Sequence, residues 1–176
     1  MMTCSKCALC KKRGQIVFGT GNSDAKIIFV GEAPGRKEAE LGIPFVGSSG
    51  IILEKMLASV QIKREDVYLT NICKCRPPEN RDPLPEEIQE CRPWLEKQIG
   101  IINPKIIITL GRFALNSFLP DVKISEVHGQ TIEIKIPKVG KVNIFPSYHP
   151  AAARINRKTR ALFEEDFKKI PKLLKK

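Results

Sequence analysis

Short, uninterrupted apolar runs recur along the chain and alternate with segments of helical periodicity. The runs cover residues 26–31, 67–72, 105–110 and 142–145. A continuous apolar run of this length is typical of a strand buried on both faces of a parallel sheet. The first two gaps between runs carry apolar residues three or four positions apart, which predicts helices. These residues are Ile52, Met56, Leu57 and Val60, and then Ile88, Cys91, Leu95 and Ile99.

The alternation predicts the fold class. Strands separated by helices favour a single α/β domain over residues 1–176, built as a three-layer α/β/α sandwich around a central, mainly parallel, four-stranded sheet. Residues 131–136 alternate apolar and polar side chains instead, which predicts an edge or hairpin strand beside Val142. The basic segment from Lys158 to Lys176 predicts an amphipathic helix. Its apolar face would consist of Leu162, Phe163, Phe167, Ile170 and Leu173.

Composition adds a strong positive charge. The chain has 30 Lys and Arg against 19 Asp and Glu, a formal net charge of +11. This favours a polyanionic partner such as nucleic acid, although charge alone leaves a basic but inert surface open. No stretch approaches the ~18 apolar residues of a membrane span, and residues 1–14 have no signal-peptide core. We expect an intracellular, cytoplasmic protein with no membrane partner.

The predicted topology places polar residues at one edge of the sheet. In open parallel sheets, ligands bind at the carboxyl ends of the strands. Residues 31–35, Asn71, Gly111 and residues 147–150 follow or end the predicted strands. We therefore expect these four regions to meet at one cleft.

The six cysteines indicate metal chemistry. They occur as Cys4-x2-Cys7-x2-Cys10, Cys73-x-Cys75 and Cys91. In a reducing compartment this number predicts metal ligation or redox chemistry before disulfides. A four-thiolate site would tie the N-terminal arm onto the domain. The spacing leaves open whether the metal is zinc or an iron–sulfur cluster, which two cysteines are spare, and a fold without metal.

Taken in order, the motifs resemble those of the family-four uracil-DNA glycosylases of archaea and thermophilic bacteria. The resemblance extends from Cys4 to about Arg154. It rests on Cys4-x2-Cys7, Gly31-Glu-Ala-Pro-Gly35, Gly42-Ile-Pro-Phe-Val-Gly47, Asn71-Ile-Cys-Lys-Cys75-Arg-Pro-Pro, Cys91 and His149-Pro150. It implies the uracil-DNA glycosylase-like fold and a monomeric prokaryotic enzyme that hydrolyses the bond between uracil and deoxyribose, in single- or double-stranded DNA.

The same resemblance implies a 4Fe-4S cluster. Its ligands would be Cys4, Cys7, Cys75 and Cys91, and its role would be structural. Cys10 and Cys73 would then be bystanders.

The resemblance also implies the residues of the reaction. Glu32 would orient or deprotonate the attacking water, and Glu38, on the same loop, could share that water. His149 would donate a hydrogen bond to uracil O2, where negative charge develops. The substrate contacts would come from Ala33, Gly35, Phe45 and Asn71, with the Phe45 ring stacked on the flipped base and the Asn71 amide on its edge.

Basic side chains are expected to bind the DNA backbone from loops near the cleft. They are Arg76, Arg81, Arg112, Arg154, Arg157 and Lys158. Several related enzymes place a leucine four residues after the histidine to fill the gap left by the base, whereas this chain has Ala153. Either Arg154 or Ile155 fills that gap, or duplex DNA is a poorer substrate than single strands.

Two other functional classes compete with the enzyme. One is a noncatalytic iron–sulfur DNA-binding module, and the other is a ferredoxin-like redox protein. The joint presence of Glu32, Phe45, Asn71 and His149 favours the enzyme, and the missing fourth local cysteine disfavours a ferredoxin. Glu32 also favours uracil over the related class whose turn has no carboxylate. His128 matches no motif and is expected at the surface, and the sequence neither predicts nor excludes contact with a sliding clamp.

Overall fold

Six strands form a single sheet in the structure, a computed structural model that describes residues 3–137 and 139–174. The strand order is β1-β3-β2-β4-β6-β5. The strands are β1 (Thr20–Gly21), β2 (Ile27–Gly31), β3 (Tyr68–Asn71), β4 (Ile106–Leu110), β5 (Ile132–Ile136) and β6 (Gly140–Ser147).

The parallel core of the sheet agrees with the prediction from the apolar runs. β3, β2, β4 and β6 are parallel to one another. β1 and β5 are antiparallel edge strands, so the sheet has two strands more than the predicted four. β5 pairs with β6 through Ile134 opposite Val142, which confirms the predicted edge strand. The two-residue β1 is too short to leave an apolar pattern.

Helices cover both faces of the sheet. They are α1 (Arg36–Leu41), α2 (Ser48–Ser59), α3 (Pro85–Ile102), α4 (Arg112–Asn116), α5 (Ile124–Val127), α6 (Pro150–Ile155) and α7 (Arg157–Leu174). Short 3-10 turns lie at Ala8–Lys11, Arg64–Asp66 and Pro78–Asn80. The predicted C-terminal helix is present, and its last two predicted residues, 175 and 176, lie outside the described residues.

The core is divided by the sheet into two apolar layers. On one face Phe29 and Phe145 pack with Leu53 of α2 and Phe167 of α7. The other face packs against α3 and α4, through Leu95, Ile99, Ala114 and Leu115. Full burial of one such large apolar side chain contributes about 1.5–3 kcal/mol. The three-layer α/β/α architecture is therefore as predicted.

The four parallel strands end at a common edge. β2 ends at Gly31 beside Asn71, the last residue of β3. Leu110 at the end of β4 lies beside Ser147 at the end of β6. The segments that follow these strands start from the same side of the sheet, as expected for a ligand-binding edge. Within the described ranges, we find no helix with the length and apolarity needed to span a membrane.

Candidate active site

A cavity of about 440 Å³ opens at the carboxyl edge of the sheet. This volume is in the range of small-molecule sites and accommodates a nucleotide base. The structure brings to this cavity all seven side chains or backbone positions expected to act on or bind the substrate. They are Glu32, Ala33, Gly35, Glu38, Phe45, Asn71 and His149.

Gly31 allows the base-binding residues to meet. A Cβ atom on Gly31 would lie 2.5 Å from Oδ1 of Asn71 and 2.7 Å from Cζ of Phe45. Both distances are far below van der Waals contact, so a side chain at this strand end would displace the Asn71 amide and the Phe45 ring. Because Gly31 has no side chain, the Asn71 amide and the Phe45 ring, which belong to two different segments of the chain, both approach the end of β2.

The backbone of Phe45 is held in an unusual conformation. Its φ of +53° lies in the left-handed region, which costs a residue with a side chain about 1–3 kcal/mol and persists only where the surrounding structure imposes it. Arg64 donates hydrogen bonds to the carbonyl oxygens of Phe45 (3.1 Å) and Pro44 (2.6 Å). Strain of this kind is concentrated at functional sites, and here it fixes an aromatic ring that is only 7% exposed.

Glu38 holds the same segment from the other side. Its Oε1 accepts hydrogen bonds from the backbone N–H groups of Val46 (3.0 Å) and Gly47 (2.7 Å). The residue lies in helix α1 rather than on the loop of Glu32, where it was expected from the sequence, and it is buried. These contacts indicate that Glu38 shapes the Phe45 segment. Glu38 also lines the same cavity as Glu32, and its sharing of the water stays a prediction.

Glu32 follows β2 directly and is partly buried. Burial raises the pKa of its carboxyl group above the ordinary value of 4.5, the negative charge of Asp82 raises it further, and Arg112 lowers it. Its backbone carbonyl accepts a hydrogen bond from the N–H of Cys73 at 3.0 Å, which ties the turn to the end of β3. A carboxylate with a raised pKa is a suitable proton acceptor near neutral pH.

His149 is the N-cap residue of α6, and its tautomer follows from its contacts. Its Nδ1 accepts a hydrogen bond from the backbone N–H of Ala151 at 3.1 Å. The ring proton of the neutral imidazole therefore resides on Nε2, which is available as a donor. Burial lowers the pKa of His149 to about 4, so the imidazole is neutral at physiological pH.

The basic residues are less uniform than expected. Arg81 lines the cavity, but it also forms hydrogen bonds with both carboxylate oxygens of Glu87 at 2.7 and 2.9 Å. Arg112 pairs with Asp82 at 2.8 Å. Arg76 donates to Asn80 Oδ1 at 2.8 Å. Each of the three arginines thus already has a polar partner, and Arg81 lines the cavity whereas Arg76 and Arg112 do not.

The remaining basic positions lie on helices, not on loops. Arg154 is in α6, and Arg157 and Lys158 begin α7. Ala153 is 1% exposed and belongs to the apolar core, whereas Ile155 at the end of α6 is 81% exposed. Of the two candidates for filling the gap left by a flipped base, Arg154 and Ile155, Ile155 is the one with an exposed apolar side chain.

His128, expected at the surface, is partly exposed and lies against a buried carboxylate. Its side chain is 19% exposed, and Nδ1 lies 3.0 Å from Oδ1 of Asp166. Asp166 is fully buried in α7 and 38 residues away in the chain. No local sequence pattern could have linked the two residues.

Five of the six cysteines line a second cavity, namely Cys10 and four others. These four are the expected cluster ligands Cys4, Cys7, Cys75 and Cys91. Cys73 is fully buried in the core and is not among the lining residues. In the described part of the chain, no three or more His, Cys, Asp or Glu side chains are grouped as ligands of one metal ion. A four-iron cluster is larger than an ion, and its ligands stand further apart.

The surroundings of the cysteine cavity suit an iron–sulfur cluster. The N–H of Lys74 donates to Sγ of Cys91 at 3.3 Å, and Arg13 donates to Sγ of Cys75 at 3.9 Å. The indole N–H of Trp94, which also lines the cavity, is buried and has no hydrogen-bond partner among the described residues. Burial raises the pKa of Cys91 to about 11, so a thiolate there needs a nearby positive charge. Donors aimed at sulfur and an unpaired N–H suit thiolates bound to iron.

Comparisons with known proteins give a consistent result. Residues 18–175 match the model of the uracil DNA glycosylase superfamily. The chain is 48% identical to the type-4 uracil-DNA glycosylase of Archaeoglobus fulgidus, over 98% of this chain and 89% of that protein. It is 42% identical to the type-4 enzyme of Thermotoga maritima, over 98% and 90%. Identity to the type-5 enzyme of Thermus thermophilus is 32%, over 88% and 76%.

Proposed function

The chain belongs to the uracil DNA glycosylase superfamily and is a uracil-DNA glycosylase, a DNA-repair hydrolase of N-glycosyl bonds, and from this premise we propose how its residues carry out the reaction. We assign it to the type-4 group. The observation that carries the assignment of roles is the single cavity lined by Glu32, Phe45, Asn71 and His149.

The cavity is proposed to receive a uracil swung out of the DNA. Unstacking the nucleotide costs a few kcal/mol, and stacking on the Phe45 ring returns about 1–3 kcal/mol of it. The Asn71 amide, only 3% exposed, would donate to one group of the uracil edge and accept from another. Cytosine reverses donor and acceptor at positions three and four, so it would leave buried polar groups unpaired against the same amide.

Glu32 is proposed to activate the water. As the bond between uracil N1 and the sugar C1′ breaks, the water oxygen bonds to C1′ and its proton passes to the carboxylate. Before it takes up this proton, the negative charge of the Glu32 carboxylate also stabilises the positive charge that the sugar develops in the transition state. The raised pKa of Glu32 makes it a stronger base than an exposed glutamate.

His149 is proposed to stabilise the departing base. The electrons of the broken bond remain on uracil, and negative charge develops on O2. The Nε2–H of a neutral imidazole donates to that oxygen without losing its own proton. Removing one donor of this type from comparable sites costs about 2.7–4 kcal/mol of transition-state stabilisation.

DNA is proposed to contact the rim of the cavity. The first amides of α2, at Ser48 and Ser49, have no intrahelical acceptor and line the cavity, so they suit a phosphate of the flipped nucleotide. Arg76, Arg81, Arg112 and Arg154 would bind flanking phosphates, with the first three releasing or sharing their present partners. Ile155 is proposed to occupy the gap in the stacked bases.

Cys4, Cys7, Cys75 and Cys91 are proposed to hold a 4Fe-4S cluster. The cluster would cross-link three segments: the N-terminal arm, the segment after Asn71, and α3. Residues 1–176 would then form a single domain in which the cluster holds the arm in place. We also propose a monomer in the cytoplasm of a prokaryote, because reduced thiols and the DNA substrate are found together there.

The direct test of the function is incubation of the purified protein with a uracil-containing oligonucleotide, followed by alkaline cleavage of abasic sites. We expect strand cleavage only at uracil. The Glu32→Gln variant, which keeps the shape of the side chain but cannot take up a proton, should be slower by about 100-fold or more. A variant as fast as the parent protein would remove Glu32 from the proposed role.

A further inference from the structure

A buried carboxylate joins three segments of the chain next to His149, and the proposed reaction does not use it. Asp166 of α7 is 0% exposed. Its Oδ2 accepts a hydrogen bond from the hydroxyl of Ser147 at 3.0 Å, and its Oδ1 lies 3.0 Å from Nδ1 of His128. Ser147 ends β6, and His128 follows α5.

The residues held by this carboxylate immediately precede His149. The hydroxyl of Ser147 is bound by Asp166, and its carbonyl accepts a hydrogen bond from Gly111 at 2.8 Å. The ring of Tyr148 packs against the ring of His128, with 4.9 Å between centroids. Both residues before His149 are therefore fixed by contacts that depend on Asp166, directly or through His128.

His149 itself is confined on the opposite side. A Cβ atom on Gly111 would lie 3.0 Å from Cβ of His149, so the backbone of the two residues is closely packed. The imidazole also accepts the N–H of Ala151 through Nδ1. Because Gly111 has no side chain, His149 lies close to it, and a change in the Ser147-Tyr148 backbone would move the imidazole relative to the cavity.

Stability alone gives little reason for a carboxylate here. Burial raises the pKa of Asp166, while its hydrogen bonds with His128 and Ser147 lower it. Apolar residues of similar volume often replace buried charged groups without loss of stability. A carboxylate that binds two polar side chains at once does fix their relative geometry, which an apolar side chain cannot do.

We propose that Asp166 is a positioning residue for His149: by holding Ser147 and His128 in one geometry, it sets the turn that aims Nε2 of His149 at uracil O2. The inference rests on the proposed function, in which His149 stabilises the departing base. Asp166 does not touch the substrate in this account, and no proton moves through it.

The test combines kinetics with histidine NMR. Single-turnover excision and KM are measured for Ser147→Ala, Asp166→Asn and the double variant, and the imidazole signals are recorded with labelled histidine. The chain has only two histidines, so the spectrum is readily assigned. Thr109→Val is the matched control, because Thr109 is a buried hydroxyl on the adjacent strand with no hydrogen-bond partner in the described ranges.

We expect Ser147→Ala and Asp166→Asn to lower the maximal rate by about 10- to 100-fold and to change KM by less than about twofold, because misplacement of a catalytic group affects the chemical step. The His149 signals should shift in both variants, and the double variant should lose less than the product of the two single effects. Thr109→Val should match the parent protein in every measurement.

Two results would overturn the inference: unchanged rates and His149 signals in folded Ser147→Ala, or fully multiplicative effects in the double variant. If Asp166→Asn does not fold, Ser147→Ala alone decides. A parent protein that leaves uracil in DNA would overturn the proposed function instead, and the His149 signals would still report whether Asp166 positions the ring.

Discussion

Arg64 donates a hydrogen bond to the carbonyl oxygen of Phe45 at 3.1 Å, and Phe45 has a left-handed backbone. The guanidinium also binds the carbonyl of Pro44, and Glu38 binds the next two N–H groups of the same segment. An arginine and a glutamate thus impose a strained conformation on the residue proposed to stack on uracil.

Replacing Arg64 by alanine should therefore weaken both stability and catalysis. Loss of the two hydrogen bonds should lower the free energy of unfolding by about 1–3 kcal/mol, measured by denaturant titration. The Phe45 ring should lose its fixed position, and the rate of uracil excision should fall by about tenfold or more.

Glu54→Gln is the control for Arg64. Glu54 is 3.5 Å from the Arg64 guanidinium, and both side chains reach solvent, so this ion pair contributes at most about 1 kcal/mol. The control should keep the parent rate. If Arg64→Ala also keeps the parent rate, Arg64 does not position Phe45 for catalysis.

The acid limb of the pH profile should belong to Glu32. Its pKa is raised above 4.5 by burial, and it must be ionised to take up a proton from water. His149, with a pKa of about 4, is already neutral across that range. Single-turnover rates should decline as the pH falls through the Glu32 pKa, and the decline should be absent from the residual activity of Glu32→Gln.

The same pKa values determine how stability depends on pH. The folded protein holds His149 neutral, while the unfolded chain binds a proton near pH 6.5. At this residue the unfolded state therefore gains a proton first, and the contribution of His149 to stability is lost as the pH falls from 6.5 toward 4. Rates should be corrected for the folded fraction, measured by circular dichroism. A limb centred near pH 6.5 in the corrected rates that persists in Glu32→Gln would argue against this assignment.

Asn71→Asp should relax the choice of base. An aspartate accepts hydrogen bonds at both oxygens, so it can pair with the amino group of cytosine that the amide leaves unpaired. The ratio of uracil to cytosine excision, measured on matched oligonucleotides, should fall by about tenfold or more. Asn103→Asp, the same chemical change at the exposed C-cap of α3, should leave the ratio unaltered. If the ratio of uracil to cytosine excision is the same in both variants, Asn71 does not determine base recognition.

Cysteine variants separate the cluster ligands from the spare thiols. The parent protein should contain about four iron atoms per chain, and Cys91→Ser should lose most of them together with thermal stability. Cys73→Ala is the control, because Cys73 is buried in the core and does not line the cysteine cavity. Iron analysis and visible absorbance provide the measurement. Undiminished iron in Cys91→Ser, or zinc in place of iron, would contradict the proposed cluster.

The sequence predicted the sheet better than it predicted the environment of each side chain. Apolar runs such as residues 105–110 identify buried strands because β4 is covered on both faces. The hydrogen bonds of Glu38 and Arg64 to the Phe45 segment accompany a left-handed φ at Phe45, which a phenylalanine in the sequence does not indicate. The same holds for His128, whose partner Asp166 is brought near only by the packing of α7. Contacts between distant segments therefore had to come from the structure.

Glu32, Phe45, Asn71 and His149 are proposed to surround one extruded uracil. A crystal structure of the protein with free uracil is the decisive measurement. We expect the pyrimidine to stack on the Phe45 ring, its edge to hydrogen-bond to the Asn71 amide, and its O2 to lie within hydrogen-bond distance of Nε2 of His149. Uracil bound elsewhere, or bound in this cavity without contact to Asn71 and His149, would be incompatible with the proposed site.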